Sequence, residues 1–164
     1  MTPEEFSSLD GPAQQAVLAA VLVRNGVEDL HAAGAFDDGQ APMLNRLVRQ
    51  ELFQACTSAQ IGGAPHEDYL FELAEGGCEE AGDDFRLLCL SGAASRAVWA
   101  FVEAEGLSED TGEALADAAQ VAICNQEEER ALLTPLGAPF LFSYISAWEP
   151  PELSDDYLKR VGVI

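Results

Sequence analysis

Three stretches of this chain share one punctuation: Pro12 to Gly26, Pro42 to Gly62 and Gly63, and Pro65 to Gly76 and Gly77 each run from a proline to a glycine. Proline suits the first turn of a helix, where its missing N–H would lack an intrahelical partner anyway, and glycine suits the position just past the end. Between these marks the apolar residues recur three and four apart, so each stretch is predicted to be helical. In the first, Asp10 stands as a capping residue and Val17, Leu18, Val21 and Leu22 form the apolar stripe. In the second the stripe is Leu44, Leu47, Val48, Leu52, Ala55 and Cys56, and in the third Tyr69, Leu70, Leu73 and Ala74 face inward.

A short segment, VEDLHAAG, and the loop FDDGQ separate the first two helices. FRLLCLSG at 85–92 fits a buried strand or a helical turn by periodicity alone, and the reading favours helix. SGAASRAVWAFVEAEG then carries Val98, Trp99 and Val102 at helical spacing and ends near Gly106. Ser108 is placed to cap a long helix over about 109–133, with Leu115, Ala118, Ala119, Ala122, Gln126 and Leu133 near one stripe. After Pro150 and Pro151 the polar segment SDDYLKR is predicted to form a last helix.

The expected fold is therefore all-α: a single domain over 1–164, built as a bundle of five to seven helices. One short strand, near 85–91 or 140–146, is the only departure the pattern admits. A chain of 164 residues is long enough to bury about 70% of its unfolded surface in one core. No self-similarity with a solenoid period is present.

Charge is the unusual quantity. There are 29 Asp and Glu against 8 Lys and Arg, a formal net of -21. A field of that sign repels phosphates and anionic membrane surfaces and accelerates encounter with basic partners, so no direct nucleic-acid or membrane binding is expected. The N-terminus MTPEEFSSLD lacks the basic, apolar pattern of a secretory signal. A cytoplasmic protein is the expectation. Cys56, Cys78, Cys89 and Cys124 contain no CxxC pair, and the reading is four reduced, buried thiols.

The motifs of known chemistry are missing: GxSxG, HExxH, a P-loop and a dinucleotide fingerprint are all absent. Glu28 and His31 have the ExxH spacing that puts both on one helical face. Dinuclear carboxylate sites need a second such motif, and the other histidine, His66, has Gly63 three positions earlier. Glu28, His31, His66 and Asp68 are thus weaker metal candidates, and no cofactor is expected.

The acids themselves carry more. Spans 50–85 and 97–129 contain no Lys or Arg and hold 18 of the 29 acids. Asp68, Glu72 and Glu75 share one helical face, a spacing at which like charges repel by a few tenths of a kcal/mol per pair. Glu109, Asp110 and Glu113 lie at a predicted helix N-terminus, where the dipole favours them. Glu127, Glu128 and Glu129 approach the other end, where it does not. The aromatic segment PLGAPFLFSYISAW, with Phe140, Phe142, Tyr144 and Trp148, is read as core, or as an aromatic anchor if exposed.

From these patterns the expected function is non-enzymatic binding of a basic protein partner, of the immunity or inhibitor, chaperone, or nucleic-acid-mimic kind. Asp68, Glu72, Glu75, Asp117, Glu127, Glu128, Glu129 and Trp148 are the candidate contact residues. The alternatives are a helical metal- or small-molecule-binding enzyme using His31, His66 and neighbouring carboxylates, and an acidic domain whose surface is adapted to salt.

Overall fold

The computed structural model describes residues 1–124, 155–160 and 162–164. Along them run α1 (Pro3–Ser7), α2 (Gly11–Gly26), α3 (Glu28–Ala32), α4 (Ala41–Ile61) and α5 (Ala64–Glu75), then a 3-10 turn (Glu79–Ala81), α6 (Phe85–Glu105), α7 (Glu109–Cys124) and α8 (Asp155–Arg160). No strand occurs among the described residues, and the all-α bundle is the fold. The stretch 85–91, left open between strand and helix, is helical; the other, 140–146, lies outside the described residues.

The proline-to-glycine punctuation is realised element by element. Asp10 accepts a hydrogen bond from the Ala13 N–H at 2.9 Å and opens α2. Gly62 and Gly63, at φ 67° and 90°, turn the chain out of α4 through a left-handed conformation that side chains disfavour. Ser108 Oγ accepts from the Thr111 N–H at 3.2 Å, as expected of the residue before α7. The helix α1 was not foreseen, although Thr2-Pro3-Glu4-Glu5 spells a capping box: the Glu5 N–H donates to Thr2 Oγ1 at 3.1 Å, and the Thr2 N–H to Glu5 Oε2 at 2.8 Å.

Helices α2, α4, α6 and α7 close a four-membered ring, in which α2 packs on α4, α4 on α6, α6 on α7, and α7 back on α2. Helix α5 lies outside this ring against α6 and α4. Leu52, Leu90, Val98, Phe101, Leu115 and Ile123 are fully buried at its centre, and the Phe36 ring meets Phe101 edge-on at 5.7 Å. A smaller cluster of Phe6, Leu18, Val21, Leu158 and Val163 fastens α1 and α8 to the outer face of α2.

FRLLCLSG and the following segment form one continuous helix, α6, capped by Asp84, whose carboxylate accepts from the Arg86 N–H at 3.1 Å. Helix α6 is long and apolar enough to cross a membrane by length and composition. In this fold it is the central helix, touching α4, α5 and α7. Gly92 interrupts its helix-forming sequence for a packing reason: a Cβ there would collide with the backbone carbonyl of Leu73 on α5. Trp99 is 38% exposed and rests on α7 at Gly112, where a Cβ would lie 2.5 Å from the ring.

The cysteine expectation is corrected in part. Cys78 and Cys124 are paired as a disulfide with Cα atoms 7.6 Å apart, joining the connection before α6 to the end of α7. Cys56 and Cys89 are the free thiols, both buried as anticipated. Sequence spacing gave no sign of the pair, because its two members lie 46 residues apart and meet only through the packing of α6 on α7.

Candidate functional site

The acids of α5 occupy its outer side. Leu70 and Leu73 are buried against α6, and the helical period then points Asp68, Phe71 and Glu75 the other way, with Glu67 at their flank one turn before Phe71. All four are exposed. Phe71 is 59% exposed, which is unusual for so large an apolar side chain flanked by charge. Its ring leans on Phe85, at the start of α6, with centroids 5.1 Å apart and planes tilted by 53°. Asp83 and Asp84 immediately precede Phe85. Two aromatic rings from two helices thus stand within an acidic border.

Asp84 is the ordered member of that border. Partial burial works against its ionisation, but hydrogen bonds from the Arg86 side chain at 3.0 Å, the charge of Arg86, and the Leu87 and Arg86 N–H groups outweigh burial and hold the carboxyl below its ordinary range. Glu72 was expected to stand without a base nearby. In the fold, Arg96 of α6 lies 3.7 Å from it, because helical packing brings together spans that the sequence keeps apart. The Arg96 guanidinium also covers the Tyr69 ring at 5.5 Å. The Tyr69 hydroxyl is 3.4 Å from Glu51 Oε2, and burial together with the Glu51 charge raises its pKa.

Among the other predicted contact residues, Asp117 is exposed on α7. Glu127, Glu128, Glu129 and Trp148 lie outside the described residues, as does the aromatic segment that holds Trp148. The residues that sequence reasoning missed are Phe71 and Phe85. The signal was available for Phe71, since it falls on the same helical side as Glu67, Asp68 and Glu75 and opposite the apolar stripe. Phe85 was hidden by the strand-or-helix ambiguity of its segment.

The metal candidates divide between two places. Glu28 and His31 line one hollow of about 140 Å³ with Arg24, Phe36, Leu44 and Asn45. There the His31 ring stacks on Phe36 at 4.4 Å, and Nε2 lies 2.8 Å from Asp38 Oδ1. His66 lines a different hollow, about 400 Å³, between α4 and α5 with Phe53, Thr57 and Tyr69. Among the described residues, no group of three or more His, Cys, Asp or Glu is placed to hold a metal ion.

No protein family, curated protein or solved structure matches this chain.

Proposed function

We propose that the protein is a non-enzymatic binding module that engages a basic protein partner through the outer face of α5 and the start of α6. The observation that supports this reading is the exposed Phe71 ring seated on Phe85 and bordered by Glu67, Asp68, Glu75 and Asp83. An aromatic centre that can be desolvated supplies affinity, while a mainly acidic border supplies rate and selectivity. The net charge of -21 extends that attraction beyond the contact itself. Inhibition, chaperoning and phosphate mimicry are the three kinds of binding this reading covers.

The test is capture from native lysate at low salt on immobilised protein, followed by a salt gradient. It is run in parallel with Phe71→Ala and with the neutralised triple variant Glu67→Gln, Asp68→Asn, Glu75→Gln. The expected result is one basic protein in stoichiometric amount on the native chain, eluting earlier from the triple variant and lost from Phe71→Ala. Recovery of the same material on all three proteins, or of nothing on the native one, rejects the proposal.

A further inference from the structure

In a chain this acidic, each arginine has many carboxylates available to it. Arg24 on α2 and Arg46 and Arg49 on α4 nevertheless make no ion pair with an acid among the described residues. Arg24 and Arg49 instead line the same small hollow between α2 and α4, about 20 Å³ in volume, together with Asn45. Both guanidinium groups are exposed, and no carboxylate stands between them in that hollow. Arg24 is also held in place: its Nη2 donates to the Gly162 carbonyl at 3.2 Å, so the C-terminal segment orients this guanidinium.

Toward the N-terminus of α2 the hollow adjoins apolar surface, while on its other side Arg24 and Asn45 also wall the hollow that holds Glu28 and His31. Arg49 also lines a neighbouring hollow of about 280 Å³ whose other walls are Met1, Leu9, Ala13, Ala16, Val17 and Phe53. No acid lines either of the two hollows that Arg49 walls. Residues 13, 16, 17, 20, 21 and 24 form one ridge of α2, and 45, 49 and 53 form one ridge of α4, so the two hollows, which share Arg49, follow one another along the α2–α4 groove. From residue 13 to residue 24 that groove extends about 16 Å at 1.5 Å per residue. Phe53, at its apolar end, is 44% exposed.

We propose that this groove binds a single-tailed carboxylate, a fatty-acid-like amphiphile, with its head between Arg24, Asn45 and Arg49 and its tail along Val17, Ala13, Leu9 and Phe53. A planar guanidinium matches a carboxylate in a two-point hydrogen bond, and Asn45 contributes an amide donor. The apolar walls account for the tail. The net field accounts for the single charge: a polyphosphate is repelled by the rest of the molecule in proportion to its charge, whereas a monoanion is repelled least and gains from burying its chain. The site uses α2 and α4 and is separate from the Phe71 face on α5 and α6.

The experiment is calorimetric titration of the full chain with dodecanoate below its micelle concentration. Dodecyltrimethylammonium serves as the same tail with the opposite head, and acetate and inorganic phosphate as heads without a tail. One equivalent of dodecanoate is expected to bind, with the three comparators failing to bind. The double variant Arg24→Gln, Arg49→Gln is expected to weaken dodecanoate at least roughly tenfold, the loss of a charge-assisted pair, while its far-UV dichroism and urea midpoint show that it folds. Phe71→Ala should bind dodecanoate unchanged.

Four results overturn the proposal. Equal binding of the cationic amphiphile, or dodecanoate binding that survives in the folded double variant, makes the groove merely apolar. Binding of phosphate or acetate with the same arginine dependence makes it a site for small anions. Absence of dodecanoate binding to the native chain removes the site altogether.

Discussion

Gly92 of α6 lies directly beneath the Leu73 carbonyl of α5, so close that a single methyl group would collide with the backbone. That contact sets how near α5 approaches the bundle, and therefore where its acidic outer face stands. Replacing Gly92 with alanine brings two opposed effects. Alanine favours the helix by about 1 kcal/mol, while overpacking against a backbone atom that has no rotamer to move costs roughly 1–3 kcal/mol or more. The clash is expected to win, lowering the urea midpoint. Gly11→Ala, where nothing lies within 4 Å of the added Cβ, should leave stability unchanged or slightly raised.

Asp84 should give the start of α6 a pH dependence of known sign. Its carboxyl is held below the ordinary range, so its stabilising contribution is present above the unfolded value near 3.9 and is lost as pH falls through the lower folded value. Asp84→Ala is expected to cost about 1 kcal/mol at pH 7, the usual worth of a helix cap. Asp84→Asn keeps a capping oxygen and loses only the partly exposed pairing with Arg86, at most about 1 kcal/mol. Urea titrations at several pH values should show the Asp84→Asn deficit closing below about pH 4.

Leu70 and Phe71 are neighbours in sequence with opposite fates, the first 1% and the second 59% exposed. Leu70→Ala is expected to destabilise by about 2–5 kcal/mol through the cavity it leaves. Phe71→Ala should stay within about 0.5 kcal/mol of the native chain. Equal and large losses for both would mean that Phe71 is structural and would leave its exposure without a binding role.

Burial raises the thiols of Cys56 and Cys89, each to about 12, so neither supplies thiolate near neutral pH. A thiol-reactive chromophore at pH 8 should therefore release almost nothing from the folded protein. Unfolding in urea without reductant should then expose two thiols per chain, because Cys78 and Cys124 are paired. Four would show that the pair is open in the purified protein.

The helices whose ends are chemically marked were the legible ones. Pro12, Pro42 and Pro65 with their terminal glycines placed α2, α4 and α5 nearly to the residue, because capping and backbone freedom are local effects that a short window contains. Helix α6 was harder. Its apolar run shows little period, since three helices bury it from different directions, and Gly92 reads as a break until the close approach of α5 is known.

The candidate site was legible in its charge but not in its centre. Asp68, Glu72 and Glu75 were placed on one face from spacing alone. The pairing of Arg96 with Glu72, the contact of Phe71 with Phe85, and the shared hollow of Arg24 and Arg49 all join residues from different helices. Such relations depend on helix packing, which periodicity does not specify.

The packing of α6 also bears on how a chain like this can change over time. Gly92, Ala93, Ala94 and Ala97 are fully buried, and every enlargement among them displaces a neighbouring helix rather than a side-chain tip. The carboxylates outside have no such restraint. Lineages descended from this sequence should therefore keep the run of small residues in α6 while their surface charge drifts, and a distant relative will be recognised by that inner pattern before it is recognised by its acidity.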